Sequence, residues 1–374
     1  MARQRKSIPT LDGWRGFAVI GVILFHGRFG FFGENSELTT LSAHGFLGVD
    51  LFFAISGFLI CGLLLREYQT HGGINLRRFY LRRCFRILPP YYAVLVVLCT
   101  ISALGVIHVD YANLPSCLLF YRNYRPLGMD EQGGFYTAHF WTLAIEEHFY
   151  LIWPMLLIAV KPKRAGKVTF LLAMAVFAWR VLQSHFEWFQ TILPPANLLT
   201  RTDTRMDALL CGCLAAIYFP AIVRYVDRIS FSQLWFPILA TLLVMEKLRP
   251  PGMILFRAVL MPALVLSTVL QPASLLGRIL EWHPVRWLGT ISYSLYLWQE
   301  LFLPELALEK AHGAFHNLQQ APWNVLAILT CACVSRYLLE LPMIRLGHRL
   351  ETNIPGLDSS HPPTLTPTVA MPDL

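Results

Sequence analysis

Arg15 and His26 stand eleven residues apart in the first long apolar run of the chain. On an α-helix eleven residues turn by about 1100°, so the two side chains return to within ~20° of one face, ~16 Å apart along the axis. Imidazole suits proton transfer near neutral pH, and a guanidinium can pair with phosphates or steady a developing oxyanion. Asp12, three residues before Arg15, is placed to pair with it. A lone histidine in an apolar helix is more often a hydrogen-bonded packing residue. The face shared with Arg15, and the acidic residues in other apolar runs, favour chemistry.

Those acidic residues are Asp50, Glu146, Glu147 and Glu300. Adjacent buried carboxylates such as Glu146 and Glu147 suit proton handling, but they could also bind a cation or cap an arginine. Glu147, Tyr150 and Pro154 follow one helical face, with Glu146 about 100° away. Asp50 could meet His26 across a bundle or cap a helix end. The densest charge is Arg77-Arg78-Phe-Tyr-Leu-Arg82-Arg83-Cys-Phe-Arg86. In helical form Arg78, Arg82 and Arg86 make a guanidinium ladder, and Arg83 forms a second row with Arg86. One reading is an interfacial helix on anionic lipid; another is a phosphate site, since arginine grips phosphate through two bonds. Both can hold together.

The elements that must position these groups follow from composition. Of 374 residues, 55% are hydrophobic and 14% charged, and the mean hydropathy is +0.49. Soluble domains carry roughly a quarter charged residues, so separate water-soluble globules are excluded. The 13% aromatic content excludes global disorder. What remains is an all-α, polytopic transmembrane helical bundle. Hydropathy suggests about ten spans, near 8–30, 45–65, 88–109, 139–160, 167–186, 206–222, 231–247, 253–271, 287–305 and 322–342. Asp12, Arg15 and His26 interrupt the first run, and no small-residue cleavage site follows it, so it is kept as a span rather than a signal peptide.

The net charge of +8 is a topological signal and not a mark of nucleic-acid binding. With both termini cytoplasmic, 19 of the 31 basic residues fall on the inner side and 8 on the outer, the other four lying within spans. Residues 1–350 then form the transmembrane domain, and 351–374 a Pro-rich, disordered cytoplasmic tail. The outer loop near 110–138 is long enough to fold over the membrane surface. Cys211 and Cys213, and Cys331 and Cys333, are two apart, so their side chains diverge by ~200° on a helix. That spacing is poor for a disulfide or zinc site, no metal is expected, and small buried thiols are favoured.

Several blocks, in order, resemble the acyltransferase-3 family of bacterial integral membrane proteins. They are Leu11-Asp-Gly-Trp-Arg15-Gly with His26, and Phe46-Leu-Gly-Val-Asp50-Leu-Phe-Phe-Ala-Ile-Ser56-Gly-Phe-Leu-Ile60. Phe79-Tyr-Leu-Arg82-Arg83 follows, through Arg86-Ile-Leu-Pro89 and Tyr91-Tyr92. The remaining blocks are Trp141-Thr-Leu-Ala-Ile-Glu146-Glu147-His-Phe-Tyr150, Thr204-Arg205-Met-Asp207-Ala-Leu-Leu-Cys-Gly212 and Ile291-Ser-Tyr-Ser-Leu-Tyr-Leu-Trp298. The resemblance implies a bacterial cytoplasmic-membrane enzyme that transfers an acyl group, commonly acetyl from acetyl-CoA, to a hydroxyl of a carbohydrate or related extracytoplasmic acceptor. It implies that Arg15 and His26 are essential, and that Arg82, Arg83 and Arg86 meet the CoA phosphates. Many members carry a histidine where this chain has Gln299, and glutamine is no base at neutral pH. More weight therefore rests on His26.

The expected scheme has acyl-CoA entering from the cytoplasm and His26 acting as general base on the acceptor hydroxyl. Arg15 orients the donor or stabilises negative charge, and Glu146 or Glu147 sets the His26 proton state. An acyl-histidine intermediate is a variant. The rival class is a proton-coupled transporter or flippase of a glycan precursor, using the buried carboxylates as a relay.

Overall fold

The computed structural model describes residues 8–33, 36–125, 134–186, 198–228, 232–248, 250, 252–304 and 311–352. Arg3, Arg5, Lys6, Arg249, Lys310 and the Pro-rich tail from 353 lie outside the described residues. Every regular element among those described is helical. In chain order the main helices are α1 (Pro9–Phe32), α2 (Leu47–His71), α3 (Leu76–Ala103), α4 (Phe140–Val160) and α5 (Pro162–His185). They continue with α6 (Asp207–Ile217), α7 (Phe219–Val226), α8 (Trp235–Leu248), α9 (Met253–Leu270), α10 (His283–Thr290) and α11 (Ser292–Phe302). The last are α12 (Trp323–Val334) and α13 (Leu341–Thr352), joined by a π-helical turn at Ser335–Glu340.

Among the described residues, seven helical stretches are long and apolar enough to cross a membrane: Pro9–Phe32, Glu37–His71, Leu76–Ala103, Phe135–Val160, Pro162–His185, Met253–Leu270 and Trp323–Glu351. The pair α6 and α7, bent by 65°, makes an eighth if it counts as one span. Sequence alone suggests about ten. The difference lies in length. The expected sixth span breaks beside Pro220, whose ring cannot continue the helical ladder. The expected seventh is α8, of 14 residues. Such a helix rises ~21 Å, short of the ~30 Å hydrocarbon. The expected ninth divides into α10 and α11, of 8 and 11 residues.

Local signals set the ends that matter for the site. Pro9 occupies the first turn of α1, where no N–H is required. Asn75 caps α3, its side chain accepting from the Arg78 N–H at 3.1 Å. The arginine cluster is thus the first turns of α3, continuous with the span through Pro89 and Pro90.

α2 is buried over much of its circumference and runs through the centre, with Phe53, Ala54, Ile60, Cys61 and Leu64 buried. Small residues let α6 lie against it. A Cβ at Gly57 would stand 2.0 Å from the Leu209 carbonyl oxygen, and one at Gly212 2.4 Å from that of Ala54. The Trp14 indole donates to Thr268 at 2.8 Å and pins α1 to α9. All eight cysteines are free; Cys61, Cys117 and Cys213 are buried and Cys84 is exposed.

Candidate active site

Two buried ion pairs and one half-buried pair order polar residues around α2, α5 and α6. Arg205 holds Asp50 at 2.6 Å, and Arg180 holds Asp207 at 2.8 Å. Arg201 holds Asp203 at 2.5 Å. Asp50 therefore does not meet His26, one of the two expectations for it. The Arg205–Asp50 and Arg180–Asp207 pairs tie α2, α5 and α6 together. Arg122, in the loop between α3 and α4, is fully buried.

The carboxylate beside His26 is Glu300 of α11, rather than Glu146 or Glu147. Its Oε1 lies 3.3 Å from His26 Nδ1, and its Oε2 lies 2.7 Å from His139 Nδ1. The His139 backbone N–H also donates to Oε2, at 3.5 Å. Glu300 is 1% exposed and His139 3%, while the His26 side chain keeps 19% of its surface. His26 is thus the more exposed of the two imidazoles. Composition flagged Glu300 as a charge in an apolar run without giving it a role, and His139 was missed. It stands immediately before α4, and its own spacing gives no sign of a partner.

Hydroxyls link this trio to a cavity. The Tyr296 hydroxyl lies 2.8 Å from the His139 carbonyl oxygen and that of Thr142 3.2 Å from it, one of them donating to the carbonyl and the other to its hydroxyl neighbour. The two hydroxyl oxygens are 2.6 Å apart. Thr142 and Tyr296 also line a cavity that runs among α1, α2, α3, α4 and α11, past Ser56, Glu146, Glu147 and Tyr150 to Arg15, Arg83 and Arg86. Ser56 donates to Glu146 at 2.7 Å, and Tyr150 donates to the same carboxylate at 3.3 Å. Glu146 and Glu147 thus lie on the cavity wall with Arg15. The Arg83 guanidinium sits 5.2 Å from the Tyr150 ring centre and 5.8 Å from that of Phe79, within cation–π range. Ser292, fully buried on the same wall, has a hydroxyl with no partner among the described residues.

A second cavity opens beneath, lined by Asp12, Arg15, Arg82, Arg83, Arg86 and His348. Arg15, Arg83 and Arg86 line both cavities. Among the described residues these three make no ion pair, whereas Arg82 is held by Glu67 at 3.6 Å and by Glu351. The structure therefore brings Arg15 together with Arg82, Arg83 and Arg86, and with Glu146 and Glu147. It sets His26 apart from them, toward the other end of α1. Such an arrangement can hold an anionic head at one end and a proton-accepting imidazole at the other, with a mainly apolar cavity leading from the first to the Thr142 and Tyr296 hydroxyls beside His139. Gln299 is fully buried, and its carboxamide has no partner among the described residues. A second imidazole is nevertheless present, supplied by His139.

The chain is 30% identical over 381 residues to the peptidoglycan O-acetyltransferase OatA of Listeria monocytogenes, covering 92% of this chain and 57% of that protein. It is 31% identical over 376 residues to YrhL of Bacillus subtilis, whose name carries peptidoglycan O-acetyltransferase as a provisional assignment; 93% of this chain and 56% of that protein are covered. A Staphylococcus aureus protein provisionally named as an O-acetyltransferase is 30% identical over 328 residues, or 79% of this chain and 50% of its own. The chain spans about half the length of these relatives. No solved structure matches it. The profile of the acyltransferase domain family matches residues 8–340, and the chain belongs to that family, acyltransferase-3.

Proposed function

We propose that the protein is a membrane-embedded O-acyltransferase moving an acyl group, acetyl in the first instance, from acyl-CoA to a hydroxyl of a peptidoglycan-type or related surface carbohydrate. One juxtaposition carries the reading. Arg15, Arg83 and Arg86 line both cavities, and the upper cavity reaches Thr142 and Tyr296, whose hydroxyls hold the His139 backbone beside Glu300 and His26. The relatives' names supply the acceptor class. The excess of basic residues assigned to one side supports a cytoplasmic mouth for the arginines and both termini inside, in a bacterial cytoplasmic membrane.

In this scheme Arg82, Arg83 and Arg86 receive the donor's phosphates, and Arg15 steadies charge deeper in the passage. Glu300 takes the Nδ1 proton side of His26 and leaves Nε2 with its lone pair. His26 Nε2 then accepts the proton of the acceptor hydroxyl as the new acyl C–O bond forms and the C–S bond breaks. His26 then passes that proton to the departing thiolate, which leaves as the free thiol, and the imidazole is restored. Glu146, on the cavity wall, orients the donor arm through the Ser56 and Tyr150 hydroxyls, with Glu147 beside it on the same wall.

The test is release of free CoA thiol by the purified protein mixed with acetyl-CoA and a carbohydrate acceptor. His26→Ala and Arg15→Ala proteins that remain folded should lose it. Wild-type rates in both would overturn the scheme, and acceptor movement without thiol release would favour transport.

A further inference from the structure

The helix α13 lies beyond the matched residues 8–340, yet it forms one wall of the arginine mouth. Ile344 and His348 line the lower cavity with Arg82, Arg83 and Arg86. One turn on, Glu351 is paired with Arg82. The approach depends on Gly347, where a Cβ would stand 2.8 Å from the Phe85 Cβ on α3. The pair is partly withdrawn from water, the side chains of Arg82 and Glu351 being 12% and 19% exposed. Arg82 thus faces two carboxylates, Glu351 and Glu67, while Arg15, Arg83 and Arg86 make no ion pair among the described residues.

A carboxylate and a phosphate compete for the same guanidinium donors. We propose that Glu351 is a built-in competitor for the phosphate site. Its carboxylate holds Arg82 until a phosphate-bearing ligand displaces it, so α13 weakens the mouth's hold on a strongly anionic nucleotide and leaves its hold on an uncharged thioester arm unchanged. The proposal rests on acyl-CoA being the donor. A phosphate could also come from a lipid headgroup; the enclosed position of Arg82, walled by α13, favours the nucleotide.

The experiment measures binding of adenosine 3′,5′-bisphosphate to the purified full-length protein in neutral detergent by calorimetry. Glu351→Gln should bind about tenfold more tightly than wild type. Arg82→Gln should bind more weakly, and the double variant should match Arg82→Gln, because Glu351 acts through Arg82. Phosphate-free pantetheine should bind both proteins alike. Glu351→Ala serves the same purpose should the glutamine variant not fold. Equal nucleotide affinity in wild type and Glu351→Gln overturns the proposal while leaving the donor reading intact, as does a gain that persists without Arg82. A change seen only with phosphatidylglycerol vesicles makes the ligand a lipid and also overturns it. Absence of nucleotide binding in both proteins overturns the donor reading itself.

Discussion

Glu300 Oε1 stands 3.3 Å from His26 Nδ1, in a position 1% exposed to solvent. A buried carboxylate in ion-pair contact with one nitrogen of an imidazole, short of a formed hydrogen bond, favours the tautomer that leaves the other nitrogen basic. His139 holds the second carboxylate oxygen at 2.7 Å, so Glu300 has little freedom to turn away. The joint is made by residues on three segments: α1, the start of α4 and α11.

Removing the charge on Glu300 should therefore impair turnover more than binding. Glu300→Gln is expected to lower kcat by about 10²–10³-fold with the donor KM nearly unchanged, while His26→Ala falls at least as far. Steady-state acetyl transfer by the purified variants checks this. A glutamine variant with wild-type kcat would remove Glu300 from the mechanism.

His139 meets Glu300 through Nδ1, the ring nitrogen nearer the backbone. The amide nitrogen of asparagine reaches a similar place, whereas that of glutamine matches Nε2. His139→Asn should retain kcat within about tenfold, and His139→Gln should lose substantially more, reflecting a second contact that orients the carboxylate. Equal kcat in the two variants would show that the Nδ1 contact is not what matters.

Arg83 and Arg86 line both cavities and make no ion pair among the described residues. Their loss should appear in donor binding. Each change to glutamine is expected to raise the acetyl-CoA KM about 10–100-fold, the worth of a charge-assisted hydrogen bond. The acceptor KM should stay in place, and an effect on the acceptor alone would contradict the phosphate role.

Asp50 and Arg205 form a buried pair whose loss should affect folding. Asp50→Asn leaves the Arg205 charge uncompensated and should cost about 3–5 kcal/mol. Replacing both partners, as in Asp50→Asn with Arg205→Met, should recover much of that. Thermal unfolding in detergent reads the difference. An unchanged Tm in the single variant would show that the pair contributes nothing.

Much of this protein was legible along the chain. The scarcity of charge marked apolar helices, and the eleven-residue interval between Arg15 and His26 put them on one helix, α1. The i, i+4 arginines proved to lie on one continuous helix, α3. Those are properties of single helices, set by local period and composition. The count of spans was less legible, because a hydropathy window does not register the break beside Pro220 or the shortness of α8 and α11.

Partnership between helices was decided only by the tertiary structure. Glu146 and Glu147, adjacent and acidic, looked like the support for His26. Instead they share a cavity with Arg15, and Glu300 pairs with His26 across the bundle. Asp50 went to Arg205, and Glu351 to Arg82, 269 residues away. Sequence determines which charges must be buried, because each apolar helix carries its polar residues with it. Which charges meet depends on how those helices cross, and close packing at Gly57 and Gly212 is one of the contacts that sets this.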